Sequence, residues 1–190
     1  MSAANKMKIL AVSGSLRASS TNSALVRTVG ECADAAVEFV VFEGLDTLPH
    51  YSPELDRAAE LPASVLEWRR QLASTDGVLI CTPEYAFGMP GSLKNALDWV
   101  VSSGELWRKP VAALSASPSA LGGEKAHAAL LLTLMALEAH TVEAASLSIA
   151  FSRSKVTPEG SVKDEATLSA LKNSLDALVS AARLKKSNIT

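Results

Sequence analysis

The stretch Thr82-Pro-Glu-Tyr-Ala-Phe-Gly-Met-Pro-Gly-Ser-Leu-Lys-Asn-Ala-Leu-Asp-Trp99 decides how this chain is read. It follows the apolar run Gly77-Val-Leu-Ile-Cys81, which has the length and composition of a parallel strand buried on both faces. Two prolines and two glycines then force an irregular loop. Beyond Pro90 and Gly91, the residues Leu93, Leu97 and Val100 share one helical face. A stiff loop at the carboxyl end of a parallel strand is where open α/β sheets bind ligands. A second loop of that kind, Ser13-Gly-Ser-Leu-Arg-Ala-Ser-Ser-Thr-Asn22, follows the apolar run Lys8 to Val12. Two such loops on one sheet edge can hold the two ends of one nucleotide-like ligand.

Outward from these loops, strand and helix patterns alternate along the whole chain. The spacing predicts strands at Lys8 to Val12, Val37 to Phe42, Gly77 to Cys81, Pro110 to Ser115 and Thr141 to Ala150. Helices are expected at Asn22 to Ala35, Pro62 to Ser74, Ser92 to Ser102, Gly123 to Ala139 and Glu165 to Leu184. Such alternation implies a doubly wound, mostly parallel sheet with right-handed crossovers. The first strand is not followed by G-x-G-x-x-G, since Gly14 is the only glycine there, and no Walker motif is present. Both absences favour the flavodoxin-like strand order 2-1-3-4-5, a three-layer sandwich with a five-stranded parallel sheet, over the Rossmann order. The 190 residues fit one domain, residues 1–190, with a full hydrophobic core.

Apolar residues make up 48% of the chain and charged residues 20%, at a formal net charge of -2. That balance argues for a globular protein and gives no electrostatic case for nucleic acid or an anionic membrane. The segment Met1 to Met7 is too short and polar for a signal peptide, and the apolar stretch Ala128 to Ala139 is too short to span a bilayer. That stretch reads as a buried amphipathic helix. Cys32 and Cys81 sit alone with no histidine cluster, so no metal site is expected, and such cysteine usage suits a reducing, cytoplasmic setting. Cys81 reads as a small core residue. His50 reads as surface or interface, and His127 and His140 as structural.

The first loop gathers hydroxyls, an amide and one arginine between a strand and a helix N-terminus. Free backbone N–H groups and the helix dipole favour an anion there. Ser15, Ser20, Thr21 and Asn22 can donate hydrogen bonds, and Arg17 can clamp two oxygens. That set suits one terminal phosphate rather than a dinucleotide's pyrophosphate, for which the backbone itself must approach. Plain helix capping would explain Thr21 or Asn22 but not a lone arginine among four hydroxyl residues. In the second loop, Pro83-Glu-Tyr85 extends stiffly off its strand. A flat aromatic ligand fits against that backbone, and Tyr85 can stack on it. The Glu84 carboxylate can cap a turn or pair with a lysine, and its backbone is expected to matter more than its side chain. A third loop, Ser115 to Gly123, either faces the same ligand through its serines or is an ordinary strand-to-helix turn.

Together these residues resemble the NADPH-dependent FMN reductase family, a flavodoxin-like family that includes bacterial quinone, chromate and azo-dye reductases. The matching motifs are Gly14-Ser-Leu-Arg17 with Ser20 and Asn22, then Pro83-Glu-Tyr85 with Pro90-Gly91, Leu93-Lys-Asn-Ala96 and Asp98-Trp99. Ser117-Pro118 with Gly122-Gly123 is a weaker match, and the resemblance runs from about residue 7 to 150. It implies that Ser15, Arg17, Ser20 and Asn22 hold the FMN phosphate, with Thr21 beside them. Pro83, Glu84, Tyr85 and Ala86 would flank the isoalloxazine, and Ser117 would lie near its far side. Ala86 and Gly88 stand where the family usually has Asn and often Ser, which would either weaken FMN binding or widen the acceptor side of the ring. Ser119 stands where a glycine is common.

The resemblance implies an FMN-dependent oxidoreductase that takes a hydride from NADPH or NADH and passes electrons to a small-molecule acceptor such as a quinone or flavin. Both substrates would use one exposed ring face in turn, by a ping-pong mechanism, and no side chain need act as acid or base. A homodimer or homotetramer is expected, with the loop of His50 and Tyr51 and the helix after Pro90 as its surfaces. The alternative from another class is a non-enzymatic flavodoxin-type electron carrier. Such carriers are usually strongly acidic, which this chain is not.

Overall fold

The computed structural model describes residues 6–17 and 19–188. Its parallel sheet is built from β1 (Met7–Ser13), β2 (Val37–Phe42), β3 (Gly77–Thr82), β4 (Pro110–Ala116), β5 (His140–Thr141) and β6 (Leu147–Ile149) in the order β2-β1-β3-β4-β5, with β6 also on β4. Helices α1 (Thr21–Glu31), α2 (Pro53–Asp56), α3 (Ala63–Ala73), α4 (Gly91–Asp98), α5 (Glu124–Ala136), α6 (Ser152–Lys155) and α7 (Glu165–Ser187) connect and cover it.

The two-residue period of the strands sorts the core into two halves. Leu10, Val12, Val78, Ile80 and Ala113 point to one face, where α3, α4 and α5 supply Val65, Trp68, Leu72, Leu93, Leu97, Leu130 and Leu134. Ile9, Ala11, Leu79, Cys81 and Leu114 point to the other, against Leu25, Val26 and Val29 of α1 and Leu171, Leu175 and Leu178 of α7. This is the three-layer flavodoxin-like sandwich that the strand alternation implies.

The fifth strand expected over 141–150 is broken. Two residues of β5 pair with Pro110 and Val111, a 3-10 turn covers Glu143–Ala145, and three residues of β6 then pair with Leu114 to Ala116. Between the two, the Ser146 hydroxyl accepts the Ala113 N–H at 3.2 Å in place of a strand carbonyl. Ser174 of α7 takes the Ala145 carbonyl at 2.5 Å. These side chains satisfy the backbone that the interrupted ladder leaves over. Helix α5 is buried on one side only: Leu132 and Met135 are 63% and 68% exposed. Among the described residues no helix is long and apolar enough to cross a membrane.

The motif after Pro90 serves the fold. Asn95 donates to the Pro49 carbonyl at 3.0 Å and accepts the Tyr51 N–H at 2.8 Å. Trp99 donates its indole N–H to the same Pro49 carbonyl at 2.8 Å and meets the Tyr51 ring edge-on at 5.2 Å. Asn95 and Trp99 therefore clamp the loop after β2 onto α4, with His50 left exposed.

Candidate functional site: a cleft at the carboxyl ends of the central strands

The loops after β1, β3 and β4 converge with the segment after β6 on a cleft of about 770 Å³. That volume suits a mononucleotide with a fused ring system. Ser15, Arg17, Ser20, Thr21, Asn22, Pro83, Glu84, Tyr85 and Ser117 all line it. Ala86 does not: it sits at the tip of a two-residue hairpin in which Tyr85 and Gly88 exchange backbone hydrogen bonds at 2.9 and 3.0 Å.

One end of the cleft is built on α1. Ser20 is the N-cap, its hydroxyl accepting the Ser23 N–H at 3.4 Å. The Thr21 and Asn22 N–H groups precede the first residue whose N–H has an intrahelical acceptor, Ala24, so they remain available to an anion. The Asn22 side chain is committed elsewhere. Its amide N–H donates to the Ala116 carbonyl at 3.4 Å, and its oxygen accepts the Cys81 thiol at 3.1 Å. Asn22 therefore offers its backbone to the cleft, and its amide fastens β3 and β4 to α1. Cys81 is fully buried, and burial pushes its thiol up to about 12, as for an inert core residue.

Three arginines line the cleft, not one. Arg27 of α1 and Arg153 of α6 join Arg17, and none of the three has an ion pair or hydrogen-bond partner for its guanidinium among the described residues. Exposed arginines carry no periodic signal, and sequence reasoning missed both additions. It also missed the turn Thr157-Pro-Glu-Gly160, whose Pro and Gly spacing marks a β-turn. Val156 and Val162 pair across that turn, and Thr157 to Gly160 wall the cleft. A Cβ on Gly160 would come within 2.9 Å of an Arg27 terminal nitrogen, so the bare glycine leaves room for that side chain beside the turn.

The other end is shaped by Pro83, Tyr85, Ala116, Ser117 and Pro118. Glu84 spends its charge on the scaffold: its Oε2 accepts the N–H groups of Lys125 at 2.9 Å and Ala126 at 3.1 Å. Gly123, at the N-cap of α5, has no side chain to do this and adopts φ 83. That carboxylate caps α5 and so joins the loops after β3 and β4 beside the cleft. In the third loop, Gly122 and Gly123 make the strand-to-helix turn at φ 62 and 83, and the buried Ser117 lines the cleft. Unpaired guanidiniums and a helix N-terminus at one end, with apolar and aromatic walls at the other, form a donor set that fits FMN.

The model of the NADPH-dependent FMN reductases matches residues 7–153. The chain belongs to this family. The reductase is 32% identical over 175 residues to a quinone reductase of Escherichia coli K12, covering 90% of this chain and 93% of that one. An NAD(P)H-dependent FMN reductase of Pseudomonas aeruginosa is 32% identical over 176 residues, with the same coverage of 90% and 93%. Among solved structures, the flavoenzyme NAD(P)H:(acceptor) oxidoreductase FerB of Paracoccus denitrificans superposes with a TM-score of 0.82 at 30% identity, over 93% of this chain and 97% of FerB. The reductase is thus an FMN- and NAD(P)H-dependent oxidoreductase, and the carrier alternative falls away.

Proposed function

We propose that this reductase passes electrons from NAD(P)H through FMN in the 770 Å³ cleft to a quinone, flavin or similar small acceptor, by a ping-pong mechanism. The observation that carries the reading is that Arg17, Arg27 and Arg153, none with an ion pair among the described residues, line one cleft together with the α1 N-terminus and an apolar slot. Quinone reductases among the relatives support the choice of acceptor.

Arg17, Ser15, Ser20, Thr21 and the Asn22 backbone hold the phosphate, with Arg27 and Arg153 neutralising its second charge. Pro83, Tyr85 and Ser117 bound the ring, and Glu84 fixes the spacing of their loops by its grip on α5. Bound FMN supplies the hydride and electron chemistry. The strand-end loops close one side of the slot, while Tyr85, 51% exposed, borders the open side. Nicotinamide and acceptor must therefore enter by that side in turn. Steady-state rates with varied NADPH and quinone test this: parallel double-reciprocal lines are expected, and intersecting lines would require a ternary complex. Absence of quinone reduction by the FMN-loaded protein would refute the activity itself.

A further inference from the structure

A second cleft, of about 350 Å³, lies on the other side of the β1 loop, at the carboxyl end of β2. Ser15, Arg17 and Arg27 line both clefts, so the two share a cationic wall. The second has a character of its own. Leu16, Val26, Val41 and Leu45 give it apolar sides, and Leu16 and Val41 are 57% and 36% exposed. Glu43 and Asp46 stand on its rim, directly after β2, with no hydrogen bond or ion pair among the described residues.

We propose that this cleft is an adenosine 5′-phosphate site. A planar purine fits between Leu16 and Val41. The 5′-phosphate meets Arg27 at the shared wall. The ribose diol donates to Glu43 and Asp46, as a carboxylate after the second strand of a nucleotide-binding sheet does for a free 2′-hydroxyl. The same carboxylates repel a 2′-phosphate, so the adenosine bound here has its 2′-hydroxyl free. Adenosine of this kind ends both NADH and FAD. The proposal rests on reading the first cleft as the FMN site only in taking the shared wall to carry phosphate from both sides.

The test uses the FMN-loaded protein, whose flavin absorbance reports separately that the first cleft is filled. Calorimetric titration with 5′-AMP should show saturable binding, and 2′,5′-ADP should bind more weakly. Val41→Trp fills the cleft from an exposed strand position outside the FMN contacts, and Glu43→Ala removes one diol acceptor without touching the core. Each should weaken AMP binding roughly tenfold or more while the FMN dissociation constant stays unchanged. Competition of AMP with NADH, and a raised KM for NADH in both variants, would assign the adenosine to the reductant. Tighter binding of FAD than FMN to the apo protein, abolished by Val41→Trp, would assign it to the flavin dinucleotide. No AMP binding to protein that retains its FMN, or equal AMP affinity in all three proteins, overturns the proposal and leaves the first cleft's assignment standing.

Discussion

The Glu84 carboxylate accepts the backbone N–H of Ala126 at 3.1 Å, although the two residues lie on different helical crossovers. The contact is a helix cap supplied by another loop. Replacing Glu84 with Ala leaves the Lys125 and Ala126 N–H groups without their acceptor and removes an anion from the positive end of α5. The expected cost is about 1–3 kcal/mol in thermal or urea denaturation of the apo protein, with weaker FMN binding because the two ring-bounding loops lose their tie. Glu84→Gln, which keeps an acceptor oxygen, should recover part of both. An unchanged melting temperature in Glu84→Ala would contradict the cap.

Arg17→Ala should weaken FMN by about 1.5–3 kcal/mol, roughly ten- to a hundredfold, by removing a charge-assisted contact to the phosphate. Stability without cofactor should barely move, since Arg17 is exposed and its guanidinium has no partner among the described residues. Fluorescence titration reads the first, and denaturation the second.

Ala86 and Phe87 both hold left-handed φ values, 49 and 62, as the two-residue turn between Tyr85 and Gly88 requires. Alanine is strained there and asparagine tolerates it. Ala86→Asn should therefore stabilise the fold by up to about 1 kcal/mol. It adds an amide at the rim of the open side, so acceptor preference should change more than the rate of NADPH oxidation. Rapid reduction of the bound flavin, measured against turnover with a bulky quinone, separates the two effects.

Asp56 is held below the usual carboxylate range by its hydrogen bonds from Ser102 and Arg69, the latter at 2.6 Å. A carboxyl whose folded pKa is depressed adds stability that is fully present above its ordinary 3.8 and is lost as pH falls through the lowered value. Asp56→Asn should therefore be less stable than the parent at neutral pH. The difference should shrink only below about pH 4. Urea melts across that range check it.

The exposed stripe Lys125, Ala128, Leu132 and Met135 has the alternating four- and three-residue spacing of a helix-pairing seam. This face thus joins the His50–Tyr51 loop and the helix after Pro90 as a surface for the expected self-association. Light scattering should give a multiple of the 19.9 kDa chain mass, and Leu132→Glu should lower it. A monomer in the parent would refute the seam.

The sheet order was legible because it depends on signals the sequence carries locally: buried runs, helical stripes and the absence of glycine-rich phosphate motifs. The cleft's main walls were legible for the same reason, since loops at strand ends are placed by the topology. What escaped is non-local. Glu84 meets α5 only after the sheet has brought β3 and β4 side by side. Asn22 turns inward because Cys81 and Ala116 lie beneath it. Arg27 and Arg153 are solvent-facing side chains whose shared cleft exists only in three dimensions. The break between β5 and β6 depends on Ser146 and Ser174, whose hydroxyls replace ladder partners that no alternation pattern reveals.

The central claim is that Arg17, Arg27, Arg153 and the α1 N-terminus hold the phosphate of FMN. The most direct test is the pair of dissociation constants for FMN and riboflavin on the apo protein, which differ only by that phosphate. The account predicts FMN binding tighter by roughly a hundredfold or more, in a manner that weakens with added salt. Equal affinity for the two would contradict it.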